Sequence, residues 1–183
     1  MTRYVAFLRA INVGGHVVKM DYLRQQFELM GFSKVETYIA SGNVIFEATS
    51  RSPKALEKKI EDHLHKTLGY EVATFIRSLS ELLEIAQYKP FQDADLNAAG
   101  VSIYIGFLAE TLSEAAQRTV MSFQTKVDDF HVHHREIYWL CRIRSSESEF
   151  SLARLEKALG VQATFRNSTT VRKIAANYAT HKN

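Results

Sequence analysis

Apolar residues recur along this chain in two rhythms, and each switch between them marks the edge of an element. Tyr4 to Arg9 alternates as a strand, the glycine-bearing stretch Asn12 to Lys19 follows, and Met20, Leu23, Phe27 and Met30 then fall on one helical face that Gly31 closes. Val35 to Ala40 and Val44 to Glu47 are β-rich runs separated by Ser41-Gly42-Asn43, whose composition predicts a hairpin. Ser52-Pro53 is a cap followed by proline at the first helical position, and Leu56, Ile60 and Leu64 repeat at helical spacing as far as Gly69. Tyr70 to Arg77 alternates again, which completes β-α-β-β-α-β, the ferredoxin-like split arrangement.

A short helix from Ser80 and a polar stretch, Lys89 to Gly100, lead into a second pass. Val101 to Leu108 reads as a strand, and Thr111-Leu112-Ser113-Glu114 reads as a capping box that opens a helix bearing Ala116, Val120 and Phe123. Val127 to His133 and Ile137 to Arg142 form the next strand pair, and Leu152, Leu155 and Leu159 mark a helix closed by Gly160. The repeat is also literal. Lys34-Val35-Glu36-Thr37-Tyr38 is echoed by Lys126-Val127-Asp128-Asp129-Phe130, and Ala73-Thr74-Phe75 by Ala163-Thr164-Phe165. The expected fold is α+β, with duplicated ferredoxin-like halves at 1–78 and 100–183. The segment 79–99 is expected as a short helix and linker, and an extra C-terminal helix carries Val171, Ile174, Ala175 and Tyr178 on one face.

Composition narrows the class. A 46% hydrophobic content over 183 residues suits a packed core, and the apolar runs are strand-sized rather than membrane-spanning. The N-terminus enters a strand pattern with no leader-like apolar region, and the single cysteine, Cys141, cannot form an internal disulfide. A cytoplasmic location is therefore expected. A net charge of +3 from well-mixed charges is too mild to require a polyanionic partner.

Asn12-Val13-Gly14-Gly15-His16 lies between a strand and a helix, where glycines let backbone N–H groups approach an anion. It lacks the lysine and hydroxyl of a Walker A loop and is not G-x-G-x-x-G. In a split βαβ unit the first two strands run parallel, which brings this loop and Ser41-Gly42-Asn43 to the same end of the sheet. The corresponding second-half positions, Ala109-Glu110-Thr111 and His134-Arg135-Glu136, contain no glycine, so the fold alone does not require the first-half glycines. Arg9 is the natural cation there, Asn12 and Asn43 could orient a ligand, and Tyr38, Ser41, Arg166 and Asn167 complete the candidate set with Gly14, Gly15 and Gly42.

The stretches Phe7-Leu8-Arg9-Ala10-Ile11-Asn12-Val13-Gly14-Gly15, Thr37 to Phe46, and Arg166-Asn167 with Thr170-Val171 resemble a bacterial family known as a domain of unknown function. Its members typically read L-R-G-I-N-V-G-G, T-Y-x-Q-S-G-N-V-x-F and R-N-W-x-T-V. This chain carries Ala10 for the first glycine, Ala40 for glutamine and Ser168 for tryptophan. The resemblance implies paired ferredoxin-like units and brings no activity with it.

Other chemistry is thinner. His131 and His133 share a strand face but lack a third ligand, so no metal is expected, and Cys141 reads as a small hydrophobe. Gly42-Asn43-Val44-Ile45-Phe46 faintly resembles an RNA-binding strand, with Asn43 and Ile45 where stacking aromatics would stand. The leading expectation is a binding module for a small anionic or nucleotide-like ligand. The alternatives are a nucleic-acid-binding protein and an enzyme using the same pocket, with Tyr38 or Ser41 as its polar group. No cofactor is identified, and the oligomeric state is open.

Overall fold

A computed structural model describes residues 1–92 and 99–179. Residues 93–98 of the expected linker and the last four residues lie outside the described set. The chain divides into one unit of Met1–Leu83 joined by residues from Asn177 on, and a second of Glu84–Ala176.

The first unit contains β1 (Thr2–Leu8), α1 (Met20–Leu29), β2 (Ser33–Tyr38), β3 (Asn43–Ala48), α2 (Pro53–Leu68) and β4 (Thr74–Ser78). Its sheet runs β2-β3-β1-β4 with every neighbouring pair antiparallel, the ferredoxin-like order. One face of β1 and β3 buries Tyr4, Ala6, Leu8, Val44, Phe46 and Ala48 against Leu23 and Phe27 of α1 and Leu56, Ile60 and Leu64 of α2. Each buried Leu, Ile or Phe contributes roughly 1.5–3 kcal/mol, which is what fixes the helices on the sheet. The Ser52 hydroxyl accepts from Ala55 N at 3.3 Å, with Pro53 next in the chain, as the cap signal predicts.

β4 is an edge strand, and its outward amides are closed by carboxylates. Glu61 accepts from Thr74 N at 2.9 Å, Glu57 from Ile76 N at 2.8 Å and Glu81 from Ser78 N at 2.8 Å. Glu57 and Glu61 stand one turn apart on α2, so the helix that packs on the sheet also blocks strand addition at its edge. The strand expected from Tyr70 begins only at Thr74. Tyr70 packs on the core and stacks against His16 instead of joining the ladder.

The second unit repeats the plan with β5 (Ser102–Phe107), α4 (Glu114–Met121), β6 (Asp128–His133), β7 (Glu136–Cys141), α5 (Leu152–Leu159) and β8 (Thr164–Asn167), in the order β6-β7-β5-β8. The halves are duplicated down to single bonds. Leu8 N donates to Gly42 O at 2.8 Å in the first, and Leu108 N donates to Arg135 O at 3.0 Å in the second. Each last strand is followed directly by a helix, α3 (Leu79–Gln87) after β4 and α6 (Ser168–Ala179) after β8. The C-terminal helix therefore has a counterpart in the first half. The α4 cap is Ser113, not Thr111: its hydroxyl accepts from Ala116 N at 3.2 Å, and the helix starts at Glu114.

The second core gathers Trp139, Phe130, Phe165, Leu155 and Cys141 with Phe150. Trp139 Nε1 donates to Asp128 Oδ1 at 2.8 Å, which satisfies the indole inside the core. Burial pushes the Cys141 thiol up, keeping it protonated at neutral pH.

Candidate functional site

The end of β1 carries the first-half loops. Beyond the Leu8–Gly42 bond, Arg9 N donates to Ala73 O at 2.9 Å, so the chain leaves the sheet tied to strands on both sides. Asn12 then bridges two elements. Its Nδ2 donates to Ala40 O at 2.9 Å, and its Oδ1 accepts from Val18 N at 2.6 Å. The glycine-bearing loop and the β2–β3 turn are therefore neighbours.

Left-handed backbone is concentrated here. Ala10 (φ 61°), Asn12 (φ 56°) and Ile39 (φ 52°) are non-glycine residues in that region, and Gly14, Gly15 and Gly42 join them at 63°, 89° and 74°. A β-branched residue such as Ile39 rarely adopts this conformation. The turn sequence suggested that Asn43 would. Asn43 instead opens β3 with its side chain buried, and Ile39 takes the left-handed place.

The glycines differ in kind. A Cβ on Gly42 would stand 2.9 Å from Ile11 Cβ and 3.1 Å from Leu8 Cβ, so close packing of the two loops demands glycine. A Cβ on Gly14 or Gly15 would meet nothing within 4 Å, and both residues are exposed. Asn43 Nδ2 donates to Tyr38 O at 3.0 Å and to Ser41 Oγ at 2.8 Å. The two asparagines therefore hold the loops in shape. Arg9, Tyr38 and Ser41 are partly exposed at the same end.

Three apolar side chains unnoticed in the sequence belong to these loops: Val13 (64% exposed), Val17 (86%) and Ile39 (54%). Val13 and Ile39 are chain neighbours of the bonded pair Asn12 and Ala40. Below them the His16 ring stacks on Tyr70 at 3.9 Å, and the Tyr70 hydroxyl is buried without a hydrogen-bond partner. Burial pushes the Tyr70 hydroxyl up.

Arg166 and Asn167 belong to the second unit, at the end of β8. Arg166 donates to Thr164 Oγ1 at 2.8 Å and Phe165 O at 3.0 Å, and burial lowers it to about 10, still charged at neutral pH. Asn167 Oδ1 accepts from Thr169 N at 2.9 Å, at the start of α6. His131 and His133 both meet Tyr88: its hydroxyl lies 2.8 Å from His131 Nε2, and its ring stacks on His133 at 3.9 Å. Among the described residues no group of three or more His, Cys, Asp or Glu could hold a metal ion. Of the strand aromatics of the first sheet, Tyr4, Phe7, Phe46 and Phe75 are buried, and Tyr38 at the end of β2 is partly exposed. Among the described residues no helix is long and apolar enough to cross a membrane.

A family model described as "Protein of unknown function (DUF1697)" matches residues 1–138, in accord with the resemblance read from the motifs. The chain is similar to the solved structure of a conserved bacterial protein from Streptococcus pneumoniae, at 29% identity, 98% coverage of this chain, 99% of that one and a TM-score of 0.75. No curated protein matches the chain significantly.

Proposed function

The chain belongs to the DUF1697 family of proteins of unknown function, and on that premise we propose that it is a binding module for a small anionic or nucleotide-like ligand at the first-half loops. The observation that carries this reading is the gathering of strained backbone: Ala10, Asn12 and Ile39 take left-handed conformations around one interloop hydrogen bond. Strain of roughly 1–3 kcal/mol per residue persists where surrounding structure enforces it, and it clusters at ligand clamps. Gly14 and Gly15, exposed and uncrowded, supply backbone amides, Arg9 supplies charge, and the exposed Val13, Val17 and Ile39 supply an apolar rim for an organic portion of the ligand. Asn12 and Asn43 serve as positioning residues. The single cysteine favours a reducing, cytoplasmic setting for this activity.

Amide-resolved NMR of the whole chain titrated with inorganic phosphate and with AMP tests the reading. Saturable shifts at Gly14, Gly15 and His16, weakened at least ~10-fold by Arg9→Gln, are expected. Gly15→Val is unsuitable, since φ there is 89° and valine would distort the loop itself. Shifts confined to other regions, or affinity unchanged in Arg9→Gln, would sink it.

A further inference from the structure

The glycine-bearing loop is built around an aromatic pair. Val13 to His16 is a turn closed by His16 N, which donates to Val13 O at 3.3 Å. Its central residues, Gly14 and Gly15, both have positive φ, as a type I′ turn requires, and the turn sets Val13 and His16 side by side. The His16 ring then lies on Tyr70, with centroids 3.9 Å apart and planes 26° from parallel.

Tyr70 is the anchored member of the pair. It packs on the core of the first unit, and its hydroxyl is buried. His16 is exposed, as are Val13 and Val17 in the same loop. Because Tyr70 covers one face of the imidazole, the exposed surface of His16 is its opposite face and its edges. A ring already held in place by a partner loses little entropy when a second ring is laid on it.

The neighbouring residues narrow what that ring belongs to. Gly14 and Gly15, whose amides are read above as holding an anionic group, stand directly before His16 in the chain. A ligand that meets both carries an anion and a flat ring joined by a short linker, which is the plan of a nucleoside monophosphate. Any base can stack on an aromatic side chain, because every base has a π-face, and exposed valines suit the edges of a ring laid flat. We propose that the ligand of the loop site is a nucleoside monophosphate whose base stacks on the outer face of His16, extending the His16–Tyr70 pair into a three-ring stack. This rests on the reading of the loops as an anion site and adds the group that selects for a base.

Isothermal titration of the whole chain with AMP and with ribose 5-phosphate, which keeps the sugar and phosphate but lacks the base, tests the assignment. AMP should bind at least ~5-fold more tightly, the contribution of one base on an aromatic side chain. His16→Ala should bring the two affinities together, and His16→Phe should keep them apart, since a ring survives. In the parent chain, AMP should also give intermolecular nuclear Overhauser effects from the adenine protons to the His16 ring, a signal that a merely structural His16 would not produce. Equal affinity of AMP and ribose 5-phosphate in the parent would overturn the stacking subsite and leave the anion reading standing, whereas no binding of either at about 10 mM would sink both. An affinity ratio unaltered by His16→Ala, or adenine contacts confined to other residues, would also overturn the subsite. The adenine contacts decide the matter if His16→Ala does not fold.

Discussion

Asn12 Nδ2 donates to Ala40 O at 2.9 Å, so a side chain 28 residues before its partner joins the two loops of the candidate site. The same side chain accepts from Val18 N at 2.6 Å through Oδ1, which places both polar ends of one amide in structural service. Asn12→Asp keeps the acceptor but sets a carboxylate oxygen against the Ala40 carbonyl. It should cost about 1–3 kcal/mol, the usual price of an unmet or repelled hydrogen-bond group. Urea unfolding measures this, and a midpoint equal to that of the parent chain would show that the bridge contributes nothing.

The left-handed residues make an opposite prediction. An L-residue in this conformation costs roughly 1–2 kcal/mol that glycine avoids, so Ala10→Gly and Ile39→Gly should each raise stability by about 1 kcal/mol with the urea slope unchanged. If strain at Ile39 serves binding, Ile39→Gly should gain stability while weakening AMP affinity. A variant less stable than the parent would refute the strain assignment.

Gly42 and Gly14 separate two reasons for glycine. Both have positive φ, but only at Gly42 would a Cβ run into neighbours, at 2.9 Å from Ile11. Gly14→Ala should therefore cost about 1 kcal/mol from backbone strain alone, and Gly42→Ala should add an overpacking cost of roughly 1–3 kcal/mol. Equal losses in thermal unfolding would mean that the Leu8–Ile11 side of the turn yields easily.

Much of the fold was legible because its signals are local. Ser52-Pro53 and Leu56, Ile60 and Leu64 define α2 by chemistry that needs no distant partner. The sheet end shared by the two glycine loops followed from topology alone. Misreadings arose where tertiary contacts outweighed local pattern. Tyr70 alternates like a strand residue, yet it is drawn to His16 and the core. Thr111 offered a cap, but Ser113 is an equally good cap residue two positions on, and its hydroxyl takes the role by accepting from Ala116 N. Ile39 could not be foreseen as left-handed, because β-branching argues against it until the Asn12 bridge and the Asn43 bond to Tyr38 O fix the turn. The exposure of Val13 and Val17 was not legible either, since a loop has no periodicity that says which way its apolar residues face.

A small-ligand site and a nucleic-acid surface differ in salt response. Counterion release gives a slope of log K against log salt near −0.9 per phosphate contacted on a duplex, so an extended surface would show several units of slope. Binding at Arg9 and the glycine amides engages one anionic group and should give a shallow slope. A steep slope with single- or double-stranded oligonucleotides, abolished by Arg9→Gln, would replace the small-ligand reading with a polyanion surface.

His131 and His133, both in contact with Tyr88, should make the second unit less stable in acid. Burial lowers both histidines, with His133 adding to the effect at His131 and His134 at His133, against opposite pulls from Asp129 and Glu136. Folding therefore favours the neutral rings. Below the ordinary histidine value of about 6.5 the unfolded chain takes up protons that the folded chain resists, so stability falls as pH drops through that value toward the lowered ones. The sign is opposite to that of a histidine paired with a carboxylate. Urea midpoints should be lower at pH 5.5 than at pH 7.5, and the difference should shrink in a His131→Asn, His133→Gln double variant. Tyr88→Phe removes the hydroxyl that meets His131 Nε2 at 2.8 Å but keeps the ring stacked on His133. It should lower stability at pH 7.5 by about 1 kcal/mol, the net worth of one hydrogen bond, while leaving most of the pH difference, whose first cause is burial. A midpoint that rises on acidification, or a pH difference untouched by the double variant, would place the acid response elsewhere in the chain.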